Sequence, residues 1–157
     1  MKEILIGIPY PGIISKVELV YRSKIKAAER PIIKSPADSY KILLGNWDLN
    51  KIEFVEQFKV LYLNRGNRVL GLIEISTGGI SGTVADPRLI FITALKLNAT
   101  AIILCHNHPS GSLNPSEADK LLTEKIRNAG KFLDIQVIDH IILTTENYYS
   151  FADEGVI

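Results

Sequence analysis

The chain has 157 residues, 46% hydrophobic and 22% charged, with a formal net charge of +1. That length suits one domain with a sizeable core, and the composition is too apolar for a disordered chain. The near-neutral balance is no footprint of a nucleic-acid or membrane binder.

The single cysteine excludes an internal disulfide and suits a reducing compartment. No apolar run approaches the ~18 residues of a membrane span. The opening MKEILIGIPYPGII carries an early glutamate and interrupting prolines, so it is a poor secretory signal and a cytoplasmic protein is expected. Charge is unevenly spread: residues 1–34 hold seven Lys/Arg against three Asp/Glu. A basic N-terminal arm is therefore expected ahead of a domain over residues 35–157. Solvated lysines account for such an arm, and weak contact with a DNA backbone is the alternative.

In chain order, VELVYR at 17–22 reads as a short strand. Ser35 is placed as an N-cap, with Pro36 at the first helical position and Asp38 closing a Ser-x-x-Asp pattern, for a helix ending near Gly45. EQFKVLYLN (56–64) and RVLGLIEIS (68–76) read as hairpin partners around an Arg65-Gly66-Asn67 turn. TGGISGT (77–83) is a glycine-rich loop that lacks the Gly-Lys-Ser/Thr of a phosphate loop and is expected to border a cleft. Asp86-Pro87 opens a second helix over RLIFITALKLN. TAIILCHNH (100–108) is nearly all apolar, the pattern of a strand covered on both faces. Ser116 begins a third helix, with Ala118, Leu121, Leu122, Ile126 and Ala129 on one face and Gly130 as its C′ stop. IQVIDHIILTT (135–145) is a further core strand. Alternation of strands and helices predicts an α/β fold, a central mixed sheet flanked by helices.

Two of the three histidines, His106 and His108, stand one residue apart at the end of the apolar strand. Residues i and i+2 of a strand point to one side, so the two imidazoles share a face and Cys105 points to the other. Cys105 is read as a buried small apolar residue rather than a nucleophile. After the PSGSLNP turn, Asp119 falls in the first turn of the third helix, beside the strand end. Two imidazoles and one carboxylate make a three-ligand site with an open fourth position, the pattern of catalytic rather than structural zinc. Asp119 also closes a Ser116-x-x-Asp119 capping box, which is its alternative role. His140, inside an apolar strand, reads as a satisfied core histidine that braces the site from behind, with a direct ligand as the alternative.

A hydrolytic site also needs a base, and Glu53, Glu56 and Glu74 are the carboxylates around the hairpin. Glu56 begins a strand whose same-face neighbours are Phe58, Val60 and Tyr62, so its carboxylate is expected to head inward. Glu74 is the second choice, and a solvated edge carboxylate is the other reading of Glu56.

His106-x-His108-Pro109, six further residues and Ser116-x-x-Asp119 resemble the JAMM (MPN-plus) metalloprotease motif. HNHPSG with NPSEAD, preceded by DPRLIF and followed by DH, resembles the RadC branch of that superfamily, over about residues 35–157. The resemblance implies Zn2+ held by His106, His108 and Asp119. It implies a general acid/base at Glu56, where the family's E-x-F-x-V pattern falls, and Ser116 polarising the scissile carbonyl. The implied reaction is hydrolysis of an amide or isopeptide bond in a peptide or protein substrate. Longer RadC proteins carry an N-terminal helix-hairpin-helix-like region that residues 1–40 do not resemble, so the short form is expected. The RadC likeness also implies a second class of function: a DNA-repair-associated accessory protein acting through DNA or protein binding.

Overall fold

The computed structural model describes residues 20–78 and 84–157. Within them lie three α-helices, α1 (Pro36–Gly45), α2 (Pro87–Leu97) and α3 (Glu117–Phe132). The five strands are β1 (Gln57–Leu63), β2 (Val69–Thr77), β3 (Ala101–Asn107), β4 (Gln136–Leu143) and β5 (Tyr148–Ser150). They form one sheet in the order β2-β1-β3-β4-β5. β1 is antiparallel to both β2 and β3, and β5 is antiparallel to β4. β3 and β4 are parallel. A parallel pair needs a crossover long enough to return the chain to the same edge, and α3 supplies it. The mixed α/β sheet expected from the sequence is present.

The two central strands, β1 and β3, are buried at every position. Their side chains alternate between two cores, as the two-residue period of a strand requires. Phe58, Val60, Tyr62, Ile102 and Leu104 pack with Ile90, Phe91 and Ala94 of α2 and Ile126 of α3. Leu61, Leu63, Ile103 and Cys105 face the other way, onto Leu43 of α1, Trp47 and Ile52. Cys105 is thus a core residue, as its place in the strand predicts. No described helix is long and apolar enough to cross a membrane.

The expected helix starts are built as the sequence indicates. Ser35 and Asp38 form a reciprocal capping box at α1, and Asp86 accepts the Arg88 N–H at α2. The end of α3 differs from expectation. Gly130 is not a C′ stop but lies inside the helix, which runs on to Phe132 and closes through Asp134 at φ 54°. Gly130 is required for another reason. The returning chain passes so close that a Cβ there would collide with the Ile135 carbonyl oxygen, while the Gly130 carbonyl accepts the Ile135 N–H at 3.0 Å.

Residues 17–19 of the strand expected at 17–22 fall outside the described residues, and the rest, 20–22, is irregular chain. That segment continues along the outer edge of the hairpin. The Tyr21 hydroxyl donates to Leu70 O at 2.7 Å. The Arg68 guanidinium donates to the carbonyls of Ala28 and Arg30 at 3.3 and 3.1 Å, and Ile32 forms an isolated bridge with Arg68. It covers part of the exposed ladder of β2, which an edge strand otherwise offers to other chains.

Candidate metal centre

The strand β3 delivers His106 and the residue after its end delivers His108, both toward the N-terminus of α3. Asn107 between them points to the opposite face and fixes the strand end. Its Nδ2 donates to Ile52 O at 2.7 Å and Val55 O at 2.9 Å, and its Oδ1 accepts the Gln57 N–H at 2.7 Å. The middle residue of His-Asn-His thus pins the start of β1 to the end of β3. Nothing in the sequence pattern announced that role, because all three partners are backbone groups about fifty residues away.

His106 Nε2 and His108 Nε2 lie 3.0 Å apart. Asp119 Oδ1 is 3.4 Å from His106 Nε2, and Asp119 Oδ2 is 3.9 Å from His108 Nε2. Among the described residues these three form the one group of His, Cys, Asp and Glu side chains gathered closely enough to hold an ion, within 4.8 Å of one another. His108 Nδ1 sits 2.8 Å from Ser112 O. A carbonyl only accepts, so Nδ1 is the donor there, and Nε2 is the atom turned toward His106 and Asp119. Burial drives the His106 pKa down to about 4, only partly countered by Asp119. His106 is therefore neutral near pH 7, and its approach to Asp119 is not an ion pair. Imidazole nitrogens and a carboxylate oxygen converging on one point are a donor set suited to zinc.

Of the two roles weighed for Asp119, the capping role is built in the structure. Its Oδ2 accepts the Ser116 N–H at 2.7 Å and the Ser116 hydroxyl at 2.6 Å, and Ser116 Oγ accepts the Asp119 N–H at 3.1 Å. This is a complete capping box. Oδ1 remains for the histidines.

Behind His106 stands His140, whose Nε2 is 2.8 Å from His106 Nδ1. His140 Nδ1 lies 2.6 Å from Thr123 Oγ1, and that hydroxyl is 2.6 Å from Asp119 O. The His140 ring stacks on Phe151 at 4.6 Å between centroids and meets Phe58 edge-on at 5.7 Å. Complete burial holds its pKa well below the usual imidazole value, and the neighbouring His106 and His108 act in the same direction. Asp139 secures the segment that carries Phe151: it accepts from Ser150 Oγ at 2.7 Å and Ala152 N at 3.0 Å. Burial raises the Asp139 carboxyl pKa against these hydrogen bonds. His140 is the buried, satisfied histidine the sequence suggests, and it touches the site from behind. Thr123 was not singled out from the sequence, and a threonine in mid-helix carries no signal of its own.

Of the three candidate bases, Glu56 is half-buried just before β1, and its carbonyl accepts Gly78 N–H at 2.8 Å. The β1–β3 ladder ends where Phe58 pairs with His106, two residues after Glu56. Glu74 lies on the other side of the sheet. It pairs with Lys59, whose partner on β3 is Cys105, and accepts Gln57 Nε2 at 2.8 Å. A bulge between Phe58 and Lys59 shifts the hairpin register by one residue and turns Glu74 away from the histidines. Glu53 accepts from Thr145 Oγ1 at 3.2 Å and lines, with His108, Gly111 and Glu146, a cavity of about 320 Å³ beside the site. Residues 79–83 of the glycine-rich loop lie outside the described residues.

A family model described as the RadC-like JAB domain matches residues 33–156. Among curated bacterial relatives, a UPF0758 protein of Flavobacterium johnsoniae is 54% identical over 101 residues, covering 64% of this chain and 44% of that protein. A UPF0758 protein of Thermosynechococcus vestitus is 39% identical over 162 residues, 96% of this chain and 62% of that one. The UPF0758 protein YfjY of Escherichia coli K12 is 43% identical over 102 residues, 65% of this chain and 64% of that one. The chain thus spans roughly half to two thirds of the length of the relatives it matches.

Proposed function

Since the chain belongs to the RadC-like JAB domain family, we propose that it is a zinc-dependent hydrolase of the JAMM type, cleaving an amide or isopeptide bond of a peptide or protein in the cytoplasm. The observation that carries this reading is the convergence of His106 Nε2, His108 Nε2 and Asp119 Oδ1, with His108 also lining the neighbouring cavity. These three atoms would hold the ion. When bound, zinc supplies a Lewis acid that lowers the pKa of water and draws electron density from a carbonyl oxygen.

The chain's own side chains do the rest. Glu56, two residues before the Phe58 that pairs with His106, takes a proton from the attacking water and returns it to the leaving nitrogen. Ser116 stands at the N-terminus of α3, where backbone N–H groups and the helix dipole favour an anion. Its hydroxyl exchanges Asp119 Oδ2 for the developing oxyanion as the substrate carbonyl arrives. Asn107 holds the β1 end that carries Glu56 against the β3 end that carries the histidines, so base and ligands keep a fixed spacing.

The test is cleavage of an unbiased peptide library by the zinc-loaded protein and by Glu56→Gln. The amide cannot accept a proton, so turnover falls ~10²-fold or more while zinc content is unchanged. Equal turnover in both proteins would move the base to Glu53, which lines the cavity with His108.

A second reading, DNA association, is favoured by one feature at the far end of the sheet. Arg65, Arg127 and Lys131 line a cavity of about 820 Å³ there, with the start of β3 and β4 as its floor. Salt-dependent retention on DNA, weakened by Arg65→Ala with Arg127→Ala, would support it. Retention that ignores both changes would remove it.

A further inference from the structure

We infer that Thr123 and His140 form a proton-fixing relay that sets the tautomer of His106 and so keeps its Nε2 free as a metal ligand. The inference rests on the reading of His106 as a ligand, but its first half concerns the metal-free protein alone.

The directions of the hydrogen bonds follow from what each atom can offer. Asp119 O is a backbone carbonyl and can only accept, so at 2.6 Å the proton between it and Thr123 Oγ1 belongs to Thr123. A threonine hydroxyl has one proton, and it is now used. The 2.6 Å contact between Thr123 Oγ1 and His140 Nδ1 therefore needs a proton from the histidine. His140 is fully buried, which disfavours a charge on the ring, so it is neutral and carries that proton alone. Its Nε2 is then an acceptor. His106 Nδ1, 2.8 Å away, must be the donor. Neutral His106 is left with its lone pair on Nε2, the atom 3.0 Å from His108 Nε2. The chain of consequence runs from a helix carbonyl to the ligand nitrogen without a free choice at any link.

The ring orientation is fixed by the same neighbourhood. Phe151 stacks on His140 and Phe58 stacks on His106 at 6.2 Å with planes 7° apart. Neither imidazole can turn its edge without displacing a buried aromatic side chain. Ligand histidines in general hold their second nitrogen on a carbonyl or carboxylate, and His108 does so with Ser112 O. His106 differs, because its second nitrogen meets another imidazole, which serves as an acceptor only while Thr123 holds the far side. Thr123 and His140 are positioning residues, since neither is among the converging ligand atoms.

The experiment is long-range proton–nitrogen NMR of the three imidazoles in chelator-treated protein, paired with zinc competition titrations. Wild type is expected to show His106 protonated at Nδ1 and bare at Nε2. Thr123→Val removes the hydroxyl while keeping the side-chain shape, so an Nε2-protonated form of His106 emerges and zinc affinity falls ~10-fold or more. Thr123→Ser restores both readouts, which a role in packing alone would not do, since serine lacks the methyl group. His140→Gln keeps an amide oxygen as acceptor for His106 and is expected to lose less affinity than His140→Leu. An Nε2-protonated His106 in wild type, or wild-type tautomer and affinity in Thr123→Val, would overturn the relay. Absent zinc binding with the expected wild-type tautomer would sustain the relay and overturn instead the metal reading it serves.

Discussion

Ser116 donates both its backbone N–H and its hydroxyl to one oxygen of Asp119, Oδ2, at 2.7 and 2.6 Å. The other oxygen, Oδ1, stands 3.4 Å from His106 Nε2. One carboxylate thus starts a helix and stands in a cluster that could hold an ion, and the two tasks can be separated by substitution. In Asp119→Glu the capping box survives, because glutamate serves that position at least as well. The extra methylene displaces the ligand oxygen by more than the ~0.2 Å that zinc–oxygen distances tolerate. The variant is expected to match wild-type stability in chelator and to bind zinc far more weakly. Asp119→Ala loses the metal and about 1 kcal/mol of helix-start stability as well. Full zinc affinity in the glutamate variant would make Asp119 a cap and nothing more.

The buried histidines predict a pH dependence in the metal-free protein. Burial lowers the His106 pKa to about 4 from 6.5, and His140 is depressed well below its usual value. The unfolded chain takes up protons that the folded chain refuses. Stability is therefore full above about pH 6.5 and is lost as pH falls toward 4, by roughly 1.4 kcal/mol per pH unit for each such imidazole. Asp139, whose carboxyl burial raises, favours folding in acid and offsets part of the loss. Chemical denaturation in chelator between pH 7 and 5 should show the decline. A flat profile would mean that the imidazoles are not held neutral.

Gly130→Ala sets helix propensity against space. Alanine is worth about 1 kcal/mol over glycine in a helix interior. Its methyl, however, meets the Ile135 carbonyl oxygen, a backbone atom held by the turn back into β4. Relief requires moving the chain, and overpacking of that kind costs about 1–3 kcal/mol. The clash outweighs the propensity gain. The variant is expected to unfold at lower denaturant, and an unchanged or higher midpoint would show that the turn yields cheaply.

These two residues also mark what the sequence conceals. Ser35, Asp38, Asp86, Ser116 and the two ligand histidines are legible because caps and strand faces are local patterns with fixed spacing. Gly130 looks like a C′ stop because helix ends are often marked by glycine, and only the return of Ile135 reveals its purpose. Glu74 is a plausible base until a single-residue bulge flips its side of the sheet. His140 and Thr123 meet His106 through pairings between segments far apart in the chain, which no period within one element encodes. Asn107 is similar: the His-x-His pattern assigns it no role, yet three hydrogen bonds to backbone groups make it the tie between β1 and β3.

Cys105 should be inert in the folded protein. It is completely buried in the α1-side core, and burial lifts its thiol pKa well above the usual value. The thiolate is the reactive form, so a disulfide reagent should modify it only on the timescale of unfolding. Rapid stoichiometric labelling under native conditions would contradict its place in the core.

The central claim is that three side chains of one β-strand end and one helix start make a metal centre. Its most direct measurement is zinc competition against a chromophoric chelator, for wild type and for His108→Ala, with the melting temperature followed alongside. His108 is the ligand to change, since it is partly exposed and leaves the His106–His140–Thr123 chain in place. The account predicts about one zinc per wild-type chain, and a melt that rises with free zinc in proportion to RT ln(1 + [L]/Kd). It predicts that His108→Ala loses the zinc-dependent rise while keeping the metal-free melt. A wild-type melt indifferent to zinc, or an alanine variant that binds it as tightly, would contradict the assignment.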